Sequence, residues 1–251
     1  MKNKLSYEDR EILNEYLAFH YGEEKDLLPW ECLPREALNY PIRSVTETFD
    51  LESLPQGGRG LDVGCAVGRS TFELARQGLS LVGVDYSRSF IEAAEAIRTE
   101  GKLPYQLKVQ GNIYEEREAL RPEGIDPVTL RFATADAHDL SGLEESFDCV
   151  LAANLLCRLH KPATFLNQLE DLLVPGGQLV ILTPCTWSSG WTPEANWIGG
   201  TPSSGRTEAQ LKVRLEQVFE LEWEGDLPFL IREHERKYQL TVAHGMRWRR
   251  R

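Results

Sequence analysis

Short apolar runs of strand length alternate with segments of helical period along most of this chain. Arg59 to Val63, Leu79 to Val84, Val128 to Ala135, Phe147 to Ala153 and Gln178 to Thr183 read as strands buried on both faces. Between them, Gly68 to Gln77, Ser87 to Glu100 and Pro162 to Leu173 predict helices. In the second of these, Phe90, Ile91, Ala94 and Ile97 keep helical spacing behind a Ser87 cap. Such alternation predicts a doubly wound α/β domain, a mostly parallel sheet with helices on both faces. A helix from Thr207 to Val218 and two strand-like runs, Phe219 to Glu224 and Tyr238 to Trp248, complete seven strands, the last antiparallel.

Three regions fall outside this alternation. Residues 1–55 precede the first strand and predict a helical segment lying over one end of the sheet, ahead of a single unit at 56–251. Ser6 and Asp9 are spaced as a capping box for a helix from Tyr7 to Tyr21, which Gly22 ends. Leu27 to Tyr40 is rich in proline and aromatics, and Pro41 introduces a helix over Ile42 to Leu51. Residues 102–128 mix an alternating run, Tyr105-Gln-Leu-Lys-Val, with the charged Glu115 to Arg121, and are read as an insertion. Cys185 to Gly205 has the length and the tryptophans (Trp187, Trp191, Trp197) of a loop that closes over a site.

Length and charge narrow the function. At 251 residues the chain can bury one core and still leave a ligand cleft. Lys and Arg number 28 against 39 Asp and Glu, and the net charge of −11 disfavours a nucleic-acid partner. The basic end, Arg247 to Arg251, is read as a solvated terminus. Five cysteines, Cys32, Cys65, Cys149, Cys157 and Cys185, include no Cys-x-x-Cys pair, so neither a disulfide framework nor a metal site is expected and a cytoplasmic setting is. No run reaches the ~20 apolar residues of a membrane span.

The candidate chemistry begins at Leu61-Asp-Val-Gly-Cys-Ala-Val-Gly-Arg-Ser70. Gly64 and Gly68 allow a sharp turn and a close approach to a ligand that a Cβ would hold off. A dinucleotide fingerprint would place glycine at positions 66 and 69, where this chain has Ala66 and Arg69. Asp85, at the tip of the next strand, suits a ribose diol. Asp136 and Asn154 end the following two strands.

The pattern Asp62-x-Gly64-x-x-x-Gly68 resembles motif I of the class I S-adenosylmethionine-dependent methyltransferases, with alanine at its middle position. The succession of Asp85, Asp136-Ala137, Asn154 and Pro175-Gly-Gly177 is similar to that family's later motifs. The resemblance implies a Rossmann-like seven-stranded fold and S-adenosylmethionine as cofactor. The cofactor would be held by Asp62, Gly64, Cys65, Ala66, Gly68, Asp85, Tyr86, Ser87, Asp136, Ala137 and Asn154, with no metal. Asp85 would take the ribose hydroxyls and Asp136 the adenine amino group, while His138 and Asp139 are read as loop surface.

Nearly end to end, the chain also resembles the imidazole N-methyltransferases of ovothiol biosynthesis. The carrying strings are Tyr16-Leu-Ala-Phe-His-Tyr-Gly22, Ala37-Leu-Asn-Tyr-Pro-Ile-Arg43, Leu151-Ala-Ala-Asn-Leu-Leu156, Thr183-Pro-Cys-Thr-Trp187 and Leu227-Pro-Phe-Leu-Ile-Arg-Glu233. That resemblance implies methylation of the π nitrogen of 5-thiohistidine, a small-molecule substrate. It also implies a free-standing form working beside a separate sulfoxide synthase and lyase. Asn154, His20 and Tyr21 are candidate catalytic residues. Tyr21, Asn39, Tyr40, Arg43, Arg158, Trp187 and Arg232 are candidate substrate ligands, with Arg43 and Arg232 ranked equally for the carboxylate. Two alternatives stay open: a methyltransferase for another small amine or imidazole, and a catalytically silent methyltransferase-like subunit.

Overall fold

The computed structural model describes residues 7–143 and 146–251. The expected Ser6 cap lies outside the described residues, and Asp9 occupies the N-cap position without a side-chain cap bond. The chain opens with α1 (Arg10–Tyr21), α2 (Glu24–Leu27) and α3 (Tyr40–Thr46). Pro41 sits in the first turn of α3 as expected, but the helix stops short of Leu51.

The α/β alternation follows: β1 (Arg59–Val63), α4 (Arg69–Ala75), β2 (Ser80–Asp85) and α5 (Arg88–Glu100). Ser87 caps α5, its Oγ accepting from the Phe90 N–H at 3.3 Å. The insertion is an antiparallel hairpin of its own, β3 (Lys102–Gln110) with β4 (Ile113–Leu120). β4 escapes the apolar pattern because half of its residues are charged and most are exposed.

The main sheet then gains β5 (Leu130–Thr134) and β6 (Phe147–Ala153). The helix expected at Pro162 to Leu173 is two short ones, α6 (Pro162–Leu166) and α7 (Leu169–Leu172), before β7 (Leu173–Thr183). After α8 (Thr207–Leu215) come β8 (Phe219–His234) and β9 (Lys237–Arg250), both longer than their apolar cores.

The seven-stranded order is β5-β2-β1-β6-β7-β9-β8, parallel from β5 through β7 and antiparallel for the last two strands. Sequence order reverses between β1 and β6, so a crevice opens at the carboxyl ends of these strands. Each face of the sheet has its own apolar cluster. On one, Leu61, Val63, Val82 and Val84 pack with α6, α7 and α8. On the other, Leu81, Leu151 and Val180 share a cluster with Phe72 of α4, Phe90 of α5 and Leu17 and Phe19 of α1.

The segment before β1 is therefore part of this core, held from several sides. Buried Gln178 of β7 accepts from the Asp50 N–H at 2.9 Å and donates to the Asp50 carbonyl at 2.8 Å. The far arm of β8, still paired with β9 but beyond the end of β7, reaches the segment before β1, which forms a cap, and there the Phe229 ring lies 4.6 Å from that of Tyr40. The basic end is not a free solvated tail. Arg247 and Arg249 sit in β9 and pair with Glu222, and Arg247 also donates to the Thr48 carbonyl at 3.1 Å. Among the described residues, no helix is long and apolar enough to cross a membrane.

Gly68 shows why this topology needs a glycine at the start of α4. Its φ is +87°, and an added Cβ would lie 2.7 Å from the Phe132 ring and 3.2 Å from Ala94. The Cβ is excluded by the protein's own core, not by a ligand as the turn pattern had implied. Gly68→Val therefore combines left-handed strain with overpacking, roughly 2–5 kcal/mol in all. Thermal denaturation checks this: a drop of about 5 °C or more is expected for a chain of this size, and an unchanged transition would refute the packing argument.

Candidate functional site

The loop after β1 is built by left-handed residues. Gly64, Ala66 and Gly68 have φ of 78°, 48° and 87°. The Gly64 and Cys65 N–H groups both donate to the Val84 carbonyl, at 2.8 and 3.0 Å. The Ala66 N–H donates to Asp85 Oδ2 at 3.0 Å, while Asp85 Oδ1 accepts from the Ser87 N–H at 2.9 Å. Tyr21 reaches in from α1 and donates its hydroxyl to the Val67 carbonyl at 2.7 Å. Beneath the loop, the buried Asp62 carboxyl accepts from the Thr71 hydroxyl at 2.8 Å.

A cavity of about 560 Å³ opens above this loop, at the carboxyl ends of β1, β2, β5 and β6. Its floor is Gly64, Cys65 and Ala66, and one side carries Asp85, Tyr86 and Ser87. The next side carries Asp136, Ala137 and His138, and the strand switch adds Asn154 and Arg158. The cap closes it with Tyr7, Tyr16, Phe19, His20 and Tyr40, and the long loop contributes Trp191. Tyr7 joins the two covering segments, since its ring lies 5.3 Å from that of Trp191.

Several expected side chains lie elsewhere. Arg43 pairs with Glu47 and donates to the carbonyls of Glu36 and Pro228 on the outer side of α3. Arg232 is buried against the Asp26 and Lys108 carbonyls and faces a separate hollow between α1 and the β3–β4 hairpin. Both arginines are tied to backbone carbonyls of the scaffold, so neither is placed to hold a substrate carboxylate in the cavity. Asn39 is the exposed, left-handed N-cap of α3. Trp187 stacks on Trp197 and donates to Thr207 Oγ1 at 2.8 Å, bracing the long loop. Asp62, Gly68 and Tyr21 shape the glycine loop from behind and do not line the cavity.

Other residues were missed by the sequence reading. His138 is not loop surface. Its Nε2 accepts from the Lys161 N–H at 3.0 Å, which places the ring proton on Nδ1, and Nδ1 donates to Asp136 Oδ1 at 2.6 Å. Its position two residues beyond a strand-end acid was the available signal. Tyr16 and Phe90, with rings 4.7 Å apart, and Trp191 wall the cavity; the sequence placed Tyr16 in a resembling string and Trp191 in the covering loop but gave none of the three a binding role.

The electrostatics divide the cavity. Burial and the nearby Arg69 charge push His20 down to about 3, so it stays neutral near pH 7. Burial works against the Arg158 charge, but Cys157, Tyr7 and Tyr16 outweigh it and raise its pKa. Among the described residues, Arg158 is the one arginine of the lining, and it lies 5.9 Å from the Trp191 ring. Partial burial raises Asp136, yet the His138 N–H and ring prevail and hold it below the usual carboxylate range.

These residues fit S-adenosylmethionine. A cradle of left-handed backbone at Gly64 to Ala66 allows close approach, and acids at two successive strand ends can accept from hydroxyl and amino groups. The cavity also lies in the size range of cofactor sites, roughly 300–1,000 Å³.

Asp62 supplies a test of the loop's foundation. Burial raises its carboxyl to about 6, against the opposing bonds from Thr71 and Ser70. A carboxyl raised on folding favours the folded state below its unfolded pKa of about 3.9 and loses that contribution as pH rises to about 6. The stability of Asp62→Asn relative to the natural protein should thus increase by roughly 2–3 kcal/mol between pH 4 and pH 7. Urea denaturation at both pH values measures this, and a flat difference would contradict it.

Comparison with known proteins agrees with this geometry. A family profile described as a methyltransferase domain matches residues 35–230. The chain is 34% identical over 171 residues to the tRNA U34 carboxymethyltransferase of Klebsiella pneumoniae, covering 63% of this chain and 43% of that protein. It is 28% identical over 150 residues to the ubiquinone biosynthesis O-methyltransferase of Cereibacter sphaeroides, covering 58% and 51%. The match thus spans about half the length, or less, of these curated relatives. The structure of the N-methyltransferase NodS from Bradyrhizobium japonicum, solved with S-adenosylhomocysteine, superposes with a TM-score of 0.52 at 18% identity, over 96% of this chain and 99% of that one. A methyltransferase of Methanosarcina mazei gives 0.53 at 18% identity over 79% and 95%. These two share the fold. With the profile covering most of its length and the glycine loop and strand-end acids in place, this chain belongs to the class I S-adenosylmethionine-dependent methyltransferases.

Proposed function

We propose that the protein methylates the imidazole π nitrogen of 5-thiohistidine, the ring methylation of ovothiol formation. One observation carries the reading. The strings in which the chain resembles that group of enzymes, Tyr16 to Gly22, Ala37 to Arg43 and Leu151 to Leu156, converge on one cavity and line it with Tyr16, His20, Tyr40 and Asn154.

The cavity suits a small aromatic zwitterion. Tyr16, Phe19, Tyr40 and Phe90 offer flat walls for an imidazole, and Arg158 offers a fork for a carboxylate. S-adenosylmethionine, when bound, supplies the sulfonium methyl group. An in-line transfer then asks the protein for position, exclusion of water and an unprotonated ring nitrogen, more than for acid–base strength. His20 is too weakly basic to act as the base, with a pKa of about 3, and its Nδ1 already accepts from the Arg69 N–H at 3.4 Å. Its place in the reading is therefore as a donor. A nucleic-acid substrate like that in the name of the Klebsiella pneumoniae relative conflicts with a net charge of −11.

Incubation with S-adenosylmethionine and a panel of 5-thiohistidine, histidine and other imidazoles, followed by mass spectrometry, tests the proposal. Transfer to the π nitrogen of 5-thiohistidine, with histidine a poor acceptor, is expected. An equal rate on histidine, or product methylated on sulfur, would sink it. The rate should rise from pH 5.5 to pH 7.5, because an imidazole below its pKa of about 6.5 has no lone pair to give.

Asp85 is proposed to hold the cofactor ribose, and in this structure its carboxylate also secures Ala66 and Ser87. Asp85→Ala should weaken S-adenosylhomocysteine binding by about ten- to a hundred-fold, roughly 1.5–3 kcal/mol for a charged acceptor. Calorimetry on the folded variant checks this, and unchanged affinity would remove Asp85 from the site.

A further inference from the structure

Two polar side chains that line the cavity each have their acceptor atom engaged by the protein, which leaves an N–H group to each. The Tyr40 hydroxyl has one partner, Asn154 Oδ1 at 3.1 Å, and donates to it. With its Oδ1 taken by Tyr40, the carboxamide of Asn154, a lining residue, keeps its NH₂ group as the donor it can offer to the cavity. Asn154 is also held in the left-handed region, φ 55°, by its own N–H donating to the Leu182 carbonyl at 2.8 Å. Such strain in a non-glycine residue is retained where the surroundings impose one side-chain direction. On α1, His20 Nδ1 accepts from the Arg69 N–H, which leaves the ring proton on Nε2. Tyr16 and Phe19, with rings 6.1 and 5.4 Å from that of His20, fix its plane.

Both donors are neutral. A lysine or arginine at either place would bind an anion more strongly but would set a second positive charge beside a sulfonium. Neutral N–H groups can hold an anionic atom without that repulsion. They also occupy its lone pairs and so lower its reactivity, which a methyltransferase needs when the acceptor's sulfur is a stronger nucleophile than its ring nitrogen.

We infer that Asn154 and His20, set by Tyr40 and the Arg69 N–H, form a two-donor site for the acceptor's thiolate and decide which atom is methylated. The inference rests on the proposed function. The ring-nitrogen lone pair forms the new bond to the methyl carbon as the bond from that carbon to the cofactor sulfur breaks and its electron pair returns to that sulfur. The proton on the other ring nitrogen leaves to solvent. The acceptor's sulfur stays hydrogen-bonded and unchanged. Tyr40 is a positioning residue here, acting through Asn154.

Tyr40→Phe removes one oxygen and little else, and His20→Phe keeps an aromatic ring while deleting the donor. In each, steady-state kinetics on 5-thiohistidine should show KM raised at least tenfold, and fragmentation spectra should show S-methyl product beside the N-methyl product. S-adenosylhomocysteine affinity should stay within threefold of the natural protein, which a merely structural loss would not allow. Calorimetry with S-adenosylhomocysteine-loaded enzyme should show the preference for 5-thiohistidine over histidine reduced tenfold or more. If the natural enzyme shows that preference and Tyr40→Phe keeps both it and the pure N-methyl product, the two-donor site is overturned while the proposed function stands. If the natural enzyme shows no preference for the thiol compound, both fall.

Discussion

The structure depends on a stretch of backbone that turns left-handed at Gly64, Ala66 and Gly68 between β1 and α4. Such a turn stays in place only if neighbouring groups hold it, and here they come from every side. Asp85 takes the Ala66 N–H from the tip of β2, Asp62 ties the base of the loop to Thr71, and Tyr21 takes hold of the Val67 carbonyl from the cap. Ala66 is informative, because a residue with a Cβ adopts this φ at some energetic cost. The Asp85 carboxylate answers its N–H directly and so offsets that cost.

The same arrangement explains why the segment before β1 cannot be separated from the site. Its aromatic residues, Phe19 and Tyr40, pack with Phe229 on the distal arm of β8. The cap, the glycine loop and the terminal hairpin therefore share one apolar cluster. A ligand in the cavity lies between a rigid sheet edge and this cap. Glu8, which accepts from the Arg88 and Ser89 N–H groups, and Tyr7, whose carbonyl accepts from Ser87 and Ser89, fasten the cap's leading end to the start of α5.

Charge within the cavity is sparse and local. Arg158 carries the positive charge of the lining, with the acids at its cofactor side, and between them lie aromatic rings and neutral donors. Two histidines of the lining are held by backbone N–H groups, His138 accepting at Nε2 and His20 at Nδ1.

The sequence by itself determined the core of this fold and the cofactor side of the site, because both are written in local signals. Buried parallel strands need continuous apolar runs, so β1, β2 and β6 were legible almost to the residue. Sharp turns need glycine, and the strand-tip acids Asp85 and Asp136 follow directly on apolar runs. β4 was not legible, since a charged exposed strand has no period to read. Only the tertiary structure decided the acceptor side. Arg43, Arg232, Asn39 and Trp187 carry the chemistry a substrate site would use, yet the fold spends them on carbonyls, a helix cap and loop bracing. Tyr16, Phe90, His138 and Trp191 line the cavity instead, brought together from four distant segments. Local sequence sets which conformations a segment can adopt, whereas the direction in which a side chain finally points is set by partners that only the folded chain supplies.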